Sequence, residues 1–440
     1  MTDKPKVVAS EKAQETMSES NRPPSRLFDQ IESTPAGVVG HFGPHVLSSH
    51  FQPIYSLSHM RLVGHEALLR AHDQQGRAVP PLDVFHACRD DRTLAACDRL
   101  SRMIHLGNYA RQNRQGEWLF LNIHPDVFQL LAKGVGASYL QQVCEHFGVP
   151  CEHLVIEVLE VGGKLAGYFD EAIPIARSLG IQLAIDDFGA GHSNFDRVWQ
   201  IKPDIVKLDR SLVTKAASDR RAQRIVAQMV SLLHECGAMV LMEGVETVDE
   251  ALLALDSDAD MVQGYFFGRP QPLLAPAHHE PESLHTLYEN LRQLRHRKRE
   301  EHQTSIAPVR QAIERARDLL LANHPLEEAC QAFLALPQAE VCYLLDADGH
   351  QIGHNLWSPQ HQPAPGAQAS PLLDAEGACW SRRPYFRRAV DHIDHVQITR
   401  PYRTLTGTHQ CVTASVAFRS NVMGEEVLRV LCGDIMWDGV

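Results

Sequence analysis

The 440-residue chain reads as an α/β protein, a (β/α)8 TIM-like barrel with an antiparallel first strand, followed by a smaller α+β domain. Three observations predict this. Eight short apolar runs between residues 50 and 267 alternate with longer amphipathic stretches. The first two runs are separated by only four residues, Ser58 to Arg61. Beyond residue 336, strand patterns replace helical ones.

The eight runs are HFQPIYSL (50–57), LVGHEALLR (62–70), WLFLNIHP (118–125), LVIEVLE (154–160), QLAIDDF (182–188), DIVKLD (204–209), MVLMEGVE (239–246) and MVQGYFF (261–267). Helical segments lie between most of them. One is PLDVFHACRDDRTLAACDRLSRMIHLGNYARQ, and another is RRAQRIVAQMVSLLHECG, with Gly237 as its C-terminal cap. Parallel strands need a crossover of a dozen or more residues. The four-residue link therefore predicts an antiparallel hairpin between the first two strands, and so one reversed strand in the barrel.

Four regions follow. Residues 1–40 form a polar tail rich in Ser, Pro and charge, without strand periodicity. Residues 41–275 form the barrel, 276–335 a helical connector containing RQLRHRKREEH, and 336–440 the second domain. In the last, DADG between two apolar runs signals a hairpin, and SPQHQPAPGAQASP (358–371) is a loop.

A formal net charge of -12 argues against binding a nucleic acid polymer, which calls for a basic surface. It leaves room for a small anionic ligand, because bound cations invert the field in an acidic cleft. The ten cysteines include no CxxC pair and no zinc spacing, as expected of reduced thiols. The N-terminal stretch lacks a signal-peptide apolar run, and no stretch of about 18 apolar residues occurs. A cytoplasmic protein without a membrane span is expected.

Carboxylates are disfavoured inside strands unless something compensates them. Here they recur strand after strand, near one end: Glu66, then the amide Asn122, Glu157, the pair Asp186 and Asp187, and Glu243. Lys207, Asp209 and Gln263 share that end. Active sites of this barrel class form at the C-terminal ends of the strands. Hard oxygen donors without a Cys or His set suit magnesium or manganese. Adjacent Asp186 and Asp187 are expected to point to different sides, so that one bridges two ions and the next holds only the second. Two-metal sites stabilise in-line phosphoryl displacement, and Lys207 would supply positive charge for the phosphorus centre. Gly189 and Gly191 allow a tight loop leading into a helix capped by Ser193 or Asn194.

These residues resemble the EAL-domain family of cyclic di-GMP phosphodiesterases. The motif stands as Glu66-Ala67-Leu68, accompanied in family order by QPI (52–54), NIH (122–124), EVLE (157–160), DDFGAGHS (186–193), KPDIVKLDR (202–210), EGVET (243–247) and QGYFFGRP (263–270). The tripeptide alone is weak, whereas DDFGxGxS, KLDR and EGVET together are specific. The resemblance covers about residues 46–272. It implies hydrolysis of cyclic di-GMP to linear pGpG by a two-metal-activated water, with two magnesium or manganese ions. It places Glu66, Asn122, Glu157 and Asp186 on the first ion, and Asp186, Asp187 and Glu243 on the second. Glu66, Lys207 and Glu243 would be catalytic, with Lys207 orienting the water and Glu243 acting as base. Gln52, Arg70, Asp209 and Gln263 would bind substrate. Glu160 and Glu246 would hold the DDFG loop. His124 and the run His192-Ser193-Asn194 depart from the usual family residues, at positions that are not metal ligands. A homodimer is implied by resemblance alone.

The stretch WSRRPYFRRAV (380–390), followed by ITRPYRTLTG (398–407), resembles the PAS/Cache-like modules that follow some EAL barrels. Such modules sense an unknown small ligand or mediate dimers. The alternative to an enzyme is a catalytically silent cyclic di-GMP receptor. Receptors of that kind usually lack a metal ligand or the EGVE glutamate, and this sequence keeps both. An unrelated metal phosphoesterase on a similar barrel is disfavoured by the motif order.

Overall fold

The computed structural model describes residues 28–112, 116–124, 127, 135–158, 166–190, 195–276, 279–362, 375–403, 410–422 and 424–437. The chain divides after Arg292 into two compact units, so the boundary falls inside the expected connector.

In the first unit, all eight expected strands form. Strands β1 (Ile31–Thr34) and β2 (Gly37–Phe42) make an added hairpin ahead of them. Residues 31–40 are therefore not part of a structureless tail: β2 pairs with the start of the next strand, and buried Val38 gives it an inner face. The barrel strands are β3 (His45–Ser56), β4 (Arg61–His72), β6 (Trp118–Ile123), β7 (Leu154–Val158), β8 (Gln182–Phe188), β9 (Ile205–Leu208), β10 (Met239–Met242) and β11 (Met261–Val262), with the short β5 (Ala78–Val79) at an edge. The sheet runs β3-β11-β10-β9-β8-β7-β6-β4 and closes through β3–β4. Strand β3 is antiparallel to both of its barrel neighbours, and the other barrel pairs are parallel. The reversed strand follows from its short link, as expected.

One long helical segment divides. Residues 81–112 form two helices, Pro81–His86 and Asp91–Ala110, because Asp90 takes an extended conformation and caps the second. Its carboxylate accepts from Thr93 N while the Thr93 side chain returns the contact, a capping box. The helix Arg220–Glu235 ends at Gly237, as its sequence signals.

In the second unit, β12 (Ala339–Leu345) and β13 (Gln351–Trp357) form the hairpin expected at DADG, with Asp346 Oδ1 accepting from Asp348 N and His350 N. Strands β14 (Gln397–Ile398), β15 (Tyr402–Arg403), β16 (Gln410–Val422) and β17 (Glu425–Met436) complete an antiparallel sheet of order β13-β12-β17-β16-β14, with β15 also on β16. Alternation gives the sheet two buried faces. Val412, Ala414, Val416, Phe418, Leu431 and Ile435 pack with Ile313, Ala316 and Phe333. Tyr343, Ala417, Val430 and Cys432 pack under the helix Pro384–Asp391, through Tyr385, Phe386 and Ala389. This arrangement is consistent with the PAS/Cache-like module expected. Among the described residues, no helix is long and apolar enough to cross a membrane.

Candidate functional site

The site is the upper layer of the barrel interior. Seven residues, one from each of seven strands, form the buried layer beneath it: Ile54, Phe120, Val155, Ala184, Ile205, Leu241 and Met261. Strand side chains repeat with period two. Two residues beyond that layer on the parallel strands stand Asn122, Glu157, Asp186, Lys207, Glu243 and Gln263. On reversed β3 the equivalent step runs backwards, from Ile54 to Gln52, and Gln52 pairs with Glu66. Apolar packing therefore ends and oxygen chemistry begins at one level around the ring.

Lys207 occupies the centre and is 1% exposed. Its Nζ lies 2.5 Å from Glu157 Oε1, 2.8 Å from Glu243 Oε1, 3.0 Å from Asp186 Oδ1 and 3.8 Å from Glu66 Oε1. Burial opposes its charge, but the carboxylates, led by Asp186, outweigh that and hold it well above the usual lysine range. Glu157 is completely buried, and burial pushes its carboxyl well up, reinforced by Glu66 and opposed by Lys207. Glu243 rises to about 8, through burial first, with Lys207 opposing and Asp186 and Glu66 adding to it. One ammonium does not balance four carboxylates, so the cluster favours protons or further cations.

Amides complete the ring. Asn122 Nδ2 donates to Glu66 Oε1 at 3.0 Å, and Gln263 Nε2 donates to Glu66 Oε2 at 2.7 Å. Among the described residues, both oxygens of Glu157 are sealed from solvent without a hydrogen bond, and Lys207 is their charge partner.

The two aspartates differ from expectation. Between Ile185 and Phe188, β8 places two residues opposite one on β9, a β-bulge. Asp187 sits there at φ 55°, in the left-handed region. The extra residue breaks the alternation, so Asp187 does not point to the opposite side. Carboxylate oxygens of Asp186, Asp187 and Glu243 all lie within 4.8 Å of one another. Asp187 N also donates to Asp186 Oδ1 at 3.0 Å. Burial and then the Asp186 and Asp209 charges raise the Asp187 carboxyl. This donor set, all hard oxygen, fits divalent cations that prefer oxygen ligands.

An open cleft of about 250 Å³ adjoins this layer, lined by residues including Gln52, Glu66, Asp209, Glu246, Gln263 and Tyr265. Gln52 Nε2 donates to Gly268 O at 3.2 Å. Asp209 caps the helix Arg210–Ser218, its carboxylate accepting from Ser211 N. Glu246 pairs with Arg210 at 2.6 Å rather than with the described part of the DDFG loop. Arg70 Nη1 donates to Leu69 O and is not among the residues that line the cleft; burial lowers its guanidinium, with Tyr265 and Glu66 opposing. Glu160, Gly191, His192, Ser193 and Asn194 lie outside the described residues.

Sequence reasoning gave no role to Arg210, Gly244 or Tyr265. Tyr265 is half-exposed at the cleft, with the Arg269 guanidinium 4.3 Å from its ring centroid. An exposed aromatic beside the eighth strand was the available signal. Gly244 takes φ +63°, and a Cβ there would meet Arg210 Cγ at 2.5 Å.

The EAL domain family model matches residues 45–270, just over half of the chain. The cyclic di-GMP phosphodiesterase RocR of Pseudomonas aeruginosa is 26% identical over 231 residues, 51% of this chain and 57% of that one. The cyclic di-GMP phosphodiesterase NbdA of the same organism is 29% identical over 240 residues, 52% of this chain and 29% of that one. This chain thus spans 57% and 29% of the length of these two relatives. The crystal structure of the Bacillus subtilis YkuI protein, with an EAL domain, in complex with cyclic di-GMP and calcium, superposes with a TM-score of 0.73 at 18% identity, over 89% of this chain and 97% of that one. At that identity the likeness shows the fold. With its motifs in order on a closed barrel and the family model matched across it, the chain belongs to the EAL domain family.

Proposed function

We propose that the barrel hydrolyses cyclic di-GMP to linear pGpG using two divalent cations, magnesium or manganese. The observation that carries this reading is the over-charged cage around Lys207, with Asp187 drawn in by the bulge. The named relatives supply the substrate, and nothing in the acidic set is missing from the motif.

In this reading Glu66, Asn122, Glu157 and Asp186 hold one cation, and Asp186, Asp187 and Glu243 the other. Bound cations supply Lewis-acid charge that offsets the phosphate and eases deprotonation of water. Gln52, Asp209 and Gln263, which line the cleft, orient the nucleotide, and Arg70 is assigned with them by motif alone. Lys207 Nζ keeps a fixed positive charge on the reacting side and positions the water. Water oxygen adds to phosphorus, its proton passes to Glu243, and one P–O bond to ribose breaks. A proton returned to the ribose oxygen completes the linear dinucleotide. Glu246 acts through Arg210 on the rim, and Glu160 is assigned with it as a loop-holding residue by motif.

The test is incubation of the protein with cyclic di-GMP and manganese, following pGpG by chromatography. Product that disappears on chelation is expected. Tight binding of cyclic di-GMP without product would instead establish the silent receptor.

A further inference from the structure

The helix Asp91–Ala110 lies in the crossover between β4 and β6 and carries a buried ion pair that the barrel chemistry does not use. Asp98 and Arg102 stand one turn apart and pair through Asp98 Oδ2. They are 3% and 5% exposed. The other oxygen, Asp98 Oδ1, leaves the helix and accepts from His124 N at 3.0 Å. His124 follows the end of β6 and stands two residues beyond Asn122.

The pairing of β6 gives that contact its place. With β4 the ladder runs from Gly64–Trp118 to Ala67–Leu121. With β7 it continues through Asn122–Glu157 to Ile123–Val158. Asn122 is therefore the first residue of β6 past its ladder with β4. The next hold from the β4–β6 crossover is Asp98 on His124 N. Asn122 thus stands between two anchors of its own strand, with its amide on Glu66.

A buried ion pair adds little stability over apolar side chains of the same volume, because desolvation offsets the Coulomb attraction. What a carboxylate does supply is a strong, directed acceptor for a backbone N–H. Burial raises the Asp98 carboxyl, and Arg102 opposes that first, followed by the bond from His124 N. Removing groups that orient metal ligands typically changes metal affinity by about 10- to 100-fold.

We propose that Asp98 is a positioning residue for the cation site: through His124 N it fixes the end of β6, and so the place at which Asn122 meets the first cation. Arg102 orients the Asp98 carboxylate from one turn away. The inference rests on the two-cation reading above, in which Asn122 is a ligand.

The test uses the full chain, isothermal titration with manganese chloride in the absence of nucleotide, and urea unfolding without divalent cations. Asp98→Leu/Arg102→Met removes the acceptor and the ion pair together. Its unfolding midpoint should stay near that of wild type, while manganese binding weakens by about 10- to 100-fold. Asp98→Asn/Arg102→Met removes both charges but keeps an acceptor oxygen for His124 N. It should bind manganese within about threefold of wild type, the scale of a neutral hydrogen bond retained. A purely structural role would instead shift the unfolding midpoint and spare the affinity. Wild-type affinity in the first variant, or an equal loss in both, would overturn the proposal. Wild-type protein that binds no manganese would overturn the two-cation reading and this one with it, whereas binding that the variants leave unaltered would overturn the positioning role alone. If the first variant does not fold, Asp98→Glu decides, because it keeps the charge and moves the carboxylate by one methylene. Unchanged manganese affinity there overturns the assignment, and a loss of about threefold or more supports it.

Discussion

In the barrel, Lys207 stands among four carboxylates, whereas in the C-terminal sheet Asp434 has one hydroxyl as its direct partner. Both centres sit on strands, and burial raises carboxyls in both. Glu243 rises to about 8 and Asp434 to about 7. What differs is the compensation. The barrel brings a cation of its own and opens onto a cleft, so its excess negative charge can be met by further cations. The sheet brings one hydroxyl and, without an ion pair, the Arg383 charge, and burial outweighs both, so the Asp434 carboxyl is raised. A buried carboxylate is therefore best read through what stands within about 4 Å of it, where Coulomb terms are largest.

The comparison can be broken most forcefully at Lys207. Lys207→Met makes the barrel centre resemble the sheet centre. It should lower pGpG formation by more than about 1000-fold and cost roughly 3–5 kcal/mol, because it leaves buried charges uncompensated. Chromatography and urea unfolding without divalent cations would check both; near-wild-type turnover would remove Lys207 from the mechanism. Next, Glu66→Ala should reduce activity by about 100-fold or more while retaining the fold, since two amides, Asn122 and Gln263, lose their acceptor.

The pH dependence should run opposite to the familiar carboxylate case. Asp434 has a folded pKa near 7, raised by burial first, and its ordinary value is 3.8. Between those values the native state holds a proton that the unfolded chain has released. Stability therefore falls as pH rises from about 4 to about 7, and levels off above that. Three units correspond to about 4 kcal/mol. Asp434→Asn should remove this component. Its stability relative to wild type in urea should thus be larger at pH 8 than at pH 5. A difference that does not change with pH would refute the shift.

The smallest effect is expected at Arg210, whose pair with Glu246 is half exposed. Arg210→Ala should cost no more than about 1 kcal/mol in thermal unfolding, as for other solvent-screened ion pairs. A larger loss would mean that the rim shares in the stability of the charged centre.

Legibility differed between the two regions. Strand order, the reversed first strand and the inward register of Asn122, Glu157, Lys207 and Gln263 all follow from period-two patterning and one short link. The direction of Asp187 does not, because a bulge depends on how β8 meets β9. The split at Asp90 was legible in hindsight as an N-cap, but a continuous amphipathic pattern concealed it. The hairpin Ile31–Phe42 was hidden because its strands are short and half-polar, and pairing to β3 sustains them.

By itself, the sequence determined that a ring of acids would face the open end of a barrel, because local alternation dictates which side chains point inward. Only the tertiary structure decided that Lys207 would stand within reach of Glu157, Asp186 and Glu243, that Asp187 would join them, and that Asp434 would meet Thr413. Those encounters join residues from separate strands. Charge compensation in a protein interior is set by distances of a few ångströms, which no one-dimensional pattern contains.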